Sequence, residues 1–323
     1  MNWRHTLIVG GSIMGIALIG SVGCVGAQGV ESHVLDFEKT KPHVEMFTNI
    51  SYFQSYGWPK SDLKMDILRP QSKTKQPLVI FVPGGGFIAD DKNSYIQQRV
   101  RLAEAGYVVA SVEYRTIPDG SFPDPIIDIK SAIRYLRAQA DTFGIDSQRV
   151  AVMGESAGGY IAAMVGTSNG VQVFDKGDNM DQSSDVQAVI DIYGLSDLTK
   201  VAEGFPMEVV TQHQSAGAPE ALYVNGLPLF GRGGGSIADY PERVKEADPM
   251  TYISEKSAPF LLMHGDRDTL VSPNQTALLH QALTDKGIES TRYVVHCAGH
   301  ADAYWNQPEI TNVLVAFLDA HLK

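Results

Sequence analysis

Cysteine is almost missing. Of 323 residues only Cys24 and Cys297 carry a thiol, and if Cys24 leaves with an N-terminal leader no internal disulfide can form. Stability must then come from core packing, and Cys297, with no second thiol and no evident base of its own, is expected to be a small apolar filler. Positive charge is also scarce: 26 Lys and Arg stand against 37 Asp and Glu, a net charge of −11 with no basic cluster. That balance gives no attraction to phosphate backbones or anionic lipid, so no nucleic-acid partner is expected. Metal-binding spacing is lacking too. His296 and His300 stand four apart, but Gly299 breaks the segment and no neighbouring Glu completes a zinc helix, so neither metal nor cofactor is expected. No internal repeat is evident.

The long uncharged apolar run that is present spans residues 6–22, behind Arg4. Together with the small residues Val25-Gly26-Ala27 it reads as an export signal over residues 1–27, cut near Ala27. Two rivals are lipidation at Cys24, within Ser21-Val22-Gly23-Cys24, and an uncleaved anchor, against which the many glycines count. The expected location is periplasmic or extracellular, with membrane contact only through that leader; the pattern sets no oligomeric state.

Residues 28–323 read as one α/β domain. Short β-branched runs at 78–82, 107–112, 150–153, 186–192, 260–263 and 291–295 alternate with helical spacing at 93–105, 128–140, 156–167, 273–286 and 308–321. This predicts a mostly parallel sheet with helices on both faces. Residues 44–69, ending in the alternating 63–68, read as antiparallel edge strands. From about 195 to 257 five prolines and the Gly231 to Ser236 stretch interrupt short helical pieces, which suggests an inserted cap. That glycine stretch has no Lys-Ser/Thr ending and follows no strand, so it is a loop rather than a phosphate cradle.

The most informative segment is Gly154-Glu155-Ser156-Ala157-Gly158, a G-x-S-x-G between a strand and a helix. Small residues around the Ser let the chain turn sharply and present its hydroxyl above the sheet. A Ser hydroxyl needs an imidazole to take its proton, and the imidazole needs a carboxylate to fix its tautomer. Both should come from later strand ends, where His264-Gly265-Asp266-Arg267-Asp268 and Gly299-His300-Ala301-Asp302 supply them in the order Ser, Asp, His. His300 is therefore the candidate base, ahead of His264, His296 and His213. Asp268 is preferred as the acid over Asp266, whose place directly after His264-Gly265 suits holding the loop. The glycines of Pro83-Gly84-Gly85-Gly86-Phe87, after a strand, can aim N–H groups at a developing oxyanion, with the N–H of Ala157 as a further donor.

With these residues in place, the chain from about Leu63 onward resembles α/β-hydrolase esterases of the hormone-sensitive-lipase-like and bacterial feruloyl or acetyl esterase branches. Val112-Glu113-Tyr114-Arg115, Phe143-Gly144-Ile145-Asp146 and His264 to Val271 carry the likeness beyond the Ser156 turn. The resemblance implies hydrolysis of a small carboxylic ester, with oxyanion donors at Gly85, Gly86 and Ala157 and no cofactor. One departure is Pro83, where relatives usually have His; proline offers neither a side-chain hydrogen bond nor an N–H. Two other readings are a prolyl-oligopeptidase-type peptidase, which Ser156 to Tyr160 also resembles, and an inactive hydrolase-fold binding module. Arg115 and Asp128 are expected to be structural, and Phe87, Phe205, Tyr223 and Phe230 to crowd the pocket in favour of short acyl groups.

Overall fold

The computed structural model describes residues 33, 35–54, 62–228 and 233–323. The leader, Cys24, Phe230 and Gly231-Arg232 lie outside the described residues. The chain divides into two units, Met1–Lys39 and Thr40–Lys323; the described residues of the first form no helix or strand, and everything below concerns the second.

Its elements follow in the order β1 (Val44–Gln54), β2 (Asp62–Pro70), β3 (Gln76–Val82), α1 (Ile96–Glu104), β4 (Val108–Val112), α2 (Asp124–Ala138), α3 (Ala140–Phe143), β5 (Ile145–Glu155), α4 (Ala157–Thr167) and β6 (Ala188–Ile192). After these come α5 (Met207–His213), α6 (Pro219–Asn225), α7 (Pro241–Glu246), β7 (Phe260–Gly265), α8 (Asn274–Asp285), β8 (Ser290–Val295) and α9 (Pro308–Leu322), with short 3-10 turns between.

The strands form one sheet in the order β1-β2-β4-β3-β5-β6-β7-β8. From β4 to β8 all neighbours are parallel, while β2 is antiparallel to both β1 and β4. β3 shows why the sheet must be covered twice. Leu78, Ile80 and Val82 enter one apolar cluster with α2, α4 and α8, whereas Val79 and Phe81 enter another with α1 and α9, and all five are fully buried. Each such side chain contributes about 1.5–3 kcal/mol by leaving water.

The connection from β3 goes to β4 on one side, and the chain then crosses to β5 on the other. Strand order therefore reverses between β3 and β5, and the crevice outside their carboxyl ends is where such sheets bind ligands. The two sequence motifs, the 83–87 loop and the Ser156 turn, leave the sheet at that point.

The antiparallel edge strands expected over 44–69 are β1 and β2, and two local details differ from the sequence expectation. β2 lies one strand in from the edge, and the polar residue of its alternation, Asp66, is buried. Its Oδ1 accepts the Asn49 N–H at 2.7 Å, beside the bulge where Asn49 takes a φ of 55°. α2 begins at Asp124 rather than 128, because Pro125 sits in its first turn, where the missing N–H costs no helical bond. Between β6 and β7 the chain forms α5, α6, α7 and loops that hold to the body through Tyr160 Oη donating to the Ala247 carbonyl (2.6 Å) and the Phe122 N–H donating to that of Tyr223 (2.9 Å).

Candidate active site

Ser156 stands between β5 and α4 with φ 54° and ψ −123°, a region that non-glycine residues enter only when their surroundings force it. The force is steric and comes from the flanking glycines. A Cβ on Gly154 would lie 2.1 Å from the Gly158 carbonyl oxygen, and one on Gly158 would lie 2.1 Å from that of Val82. The turn is thus closed on itself and pressed against the end of β3.

Two loops at neighbouring strand ends meet the Ser156 hydroxyl. Ser156 Oγ is 2.9 Å from His300 Nε2, and His300 Nδ1 is 2.7 Å from Asp268 Oδ2. Asp268 is buried, and its Oδ1 accepts the N–H groups of Leu270 and Val271, both at 2.9 Å. Burial opposes its charge, but the hydrogen bonds of His264 and His300 outweigh burial and hold the carboxyl well below the usual range. His264 is fully buried; its Nε2 lies 3.2 Å from Asp268 Oδ2 and 3.0 Å from the Val271 carbonyl.

Asp266 faces elsewhere. It meets His296 Nδ1 at 2.7 Å and accepts the Cys297 N–H at 2.7 Å, so it fixes the start of the loop that carries His300. The far side of that loop is held by the Gly299 N–H donating to Asp302 (2.5 Å) and by Trp305 Nε1 donating to the Gly299 carbonyl (2.8 Å). Cys297 is no core filler. It is exposed, with φ 64°, because this turn points it outward while Ala298 fills the core.

The 83–87 loop lies against the Ser156 turn. Gly84 donates its N–H to Glu155 Oε1 at 2.8 Å, and Tyr114 Oη donates to the Pro83 carbonyl at 2.8 Å. Gly85 and Gly86 have φ of 141° and 61°; a Cβ on Gly85 would lie 2.0 Å from the Ala89 carbonyl oxygen. Among the described residues the N–H groups of Gly85, Gly86 and Ala157 have no protein acceptor. The contacts of Glu155, Tyr114 and Tyr193 were invisible to sequence reasoning, since each reaches its partner across a long chain separation.

Phe87 and Tyr223 are buried and stacked, with ring centroids 4.1 Å apart, and Tyr160 and Phe122 meet Tyr223 edge-on. Phe205 is half-buried and has no ring contact among the described residues. His213 is engaged by the buried Glu220 at 2.6 Å, which raises its pKa. Arg115 grips Asp128 (2.7 Å) and Asp124 (3.0 Å), which ties the segment after β4 to α2.

A strained serine turn at a switch point, a carboxylate and an imidazole from the loops after β7 and β8, and a glycine loop beside them define an α/β-hydrolase fold with a Ser-His-Asp arrangement. The pattern of the BD-FAE family matches residues 65–283, more than half of the chain, and the chain belongs to that family. It is 33% identical over 207 residues to esterase LipC of Mycobacterium tuberculosis, covering 62% of this chain and 46% of that one. The chain spans about half the length of the relatives it matches in sequence. Among solved structures, a truncated carbohydrate esterase from gut microbiota superposes with a TM-score of 0.74 at 23% identity, over 88% of this chain and 98% of that one. An acetyl ester-xyloside bifunctional hydrolase from Caldicellulosiruptor lactoaceticus gives 0.64 at 21% identity, over 80% and 88%. Both likenesses are of fold.

Proposed function

We propose that the protein is an exported serine carboxylesterase that cleaves small esters through an acyl-enzyme. The observation that carries this reading is the unbroken line from Ser156 Oγ to His300 (2.9 Å) and from His300 to Asp268 (2.7 Å). His300 Nε2 takes the hydroxyl proton as Ser156 Oγ attacks the ester carbonyl, and Asp268 stabilises the imidazolium that results. The carbonyl oxygen becomes an oxyanion, for which the free N–H groups of Gly85, Gly86 and Ala157 are the donors. His300 then gives its proton to the departing alkoxide. Water repeats the sequence on the acyl-enzyme and releases the acid.

The aromatic stack of Phe87, Tyr223 and Tyr160, which follows directly on the glycine loop and on α4, supports a small acyl group such as acetyl. A carbohydrate as the alcohol side rests on export and on what the similar structures are titled, the carbohydrate esterase and the acetyl ester-xyloside hydrolase. The test uses p-nitrophenyl acetate and octanoate with wild type and Ser156→Ala. Wild type should prefer acetate and the variant should show no turnover; undiminished turnover in the variant would end the proposal, and faster octanoate cleavage would end the short-acyl part.

A further inference from the structure

Glu155 fills the variable position just before the nucleophile and is only 7% exposed. A buried carboxylate is costly unless its lone pairs are used. Here they are used by groups from opposite flanks of the site. Oε1 accepts the Gly84 N–H of the glycine loop at 2.8 Å, and Oε2 accepts the Tyr193 hydroxyl at 2.9 Å. The backbone fits closely as well, since a Cβ on Gly84 would lie 2.8 Å from the Glu155 carbonyl oxygen.

Tyr193 follows β6 with φ 42°, and its N–H is fixed by the Met263 carbonyl at 2.7 Å. Its fully buried ring lies 4.7 Å from the imidazole of His300 and 4.7 Å from Trp305, the residue that holds the Gly299 carbonyl. The hydroxyl of Tyr95 meets that of Tyr193 from the other side. Burial, followed by the charge of Glu155, pushes the Tyr193 phenol upward, so it remains a donor.

We propose, resting on the serine-esterase reading, that Glu155 and Tyr193 are positioning residues, a clasp that sets the Gly84–Gly86 loop and the His300 imidazole in register across the nucleophile turn. The clasp gives Pro83 an explanation. A loop that begins with proline has no side-chain bond or N–H of its own, and its anchoring passes to the next N–H, that of Gly84, and to Tyr114 on the Pro83 carbonyl.

The experiment compares Tyr193→Phe, Glu155→Gln and Glu155→Ala with wild type by three readouts: kcat and KM on p-nitrophenyl acetate, affinity for a trifluoromethyl ketone that forms an oxyanion on Ser156, and amide hydrogen exchange of peptides covering 83–87 and 296–302. Tyr193→Phe keeps the ring and loses only the hydroxyl. It should lower kcat about 10- to 10²-fold at unchanged KM, as expected of small misplacements in an active site. It should weaken the ketone by the same factor and speed exchange in the 83–87 loop. Glu155→Gln, which can still accept from Gly84, should fall between wild type and Glu155→Ala. Wild-type ketone affinity and wild-type exchange in both Tyr193→Phe and Glu155→Gln would overturn the clasp, as would faster exchange spread evenly over the chain. A wild type without turnover would sink the esterase reading alone, and exchange of the 83–87 loop would then decide the clasp.

Discussion

Asp268 serves two masters, the imidazole of His300 through Oδ2 and two backbone N–H groups through Oδ1. Asn at this position can still accept the backbone bonds but presents an N–H to an imidazole nitrogen that already carries a proton. Asp268→Asn should therefore keep the fold and lose about 10⁴ in kcat through the wrong tautomer; a loss below tenfold on p-nitrophenyl acetate would contradict the assignment. The carboxyl stays ionised well below neutrality. At this scale the meeting of Ser156, Asp268 and His300 was legible because each sits in a short turn signature and the three follow one chain order. The partners of Glu155 were not legible, since Gly84 and Tyr193 stand 71 and 38 residues from it and nothing local announces the bond. Cys297 was misread for a related reason: burial depends on which way a loop turns, and a φ of 64° turned this thiol out.

At the level of elements, the turn from β5 into α4 is held by absent side chains. Gly158 packs its α-carbon on the ends of β3, where a methyl group would lie 2.1 Å from the Val82 oxygen and 2.7 Å from that of Pro83. Backbone on both sides leaves no flexible group to yield. Gly158→Ala should displace the 83–87 loop and lower both thermal stability and kcat by at least tenfold in rate; a variant with unchanged melting temperature and rate would show the contact to be slack. The helices and parallel strands were legible from their periodicity, and their ends shifted for local reasons, as with Pro125 at the start of α2. The position of β2 was harder to read. Its polar alternation resembles that of an edge strand, yet Asp66 turns inward to satisfy the bulge at Asn49.

Across the whole molecule, the two apolar clusters on either side of the sheet provide the frame that brings three strand ends together. The frame also buries charge. Asp191, fully buried beside Gly159 and Gly194, accepts among the described residues only the Gly194 N–H at 2.8 Å, and burial pushes it up to about 7. The unfolded value is about 3.9, so between those limits the folded chain keeps a proton that the unfolded chain has released. The stability this proton lends is full at low pH and is lost as pH rises through 7. Asp128 and Asp248, raised by burial to about 6, act in the same direction, while Asp268, lowered, loses its contribution at the acid end. Asp191→Asn cannot titrate. Its unfolding free energy in urea, relative to wild type, should move in the variant's favour from pH 5 to pH 8, and an equal difference at both values would contradict the assignment. The central claim is that Ser156 is an activated nucleophile, and treatment with a fluorophosphonate followed by peptide mass analysis reads it directly. A single adduct on Ser156, absent from His300→Ala, is the result predicted; an unmodified protein, or label on another residue, would contradict it.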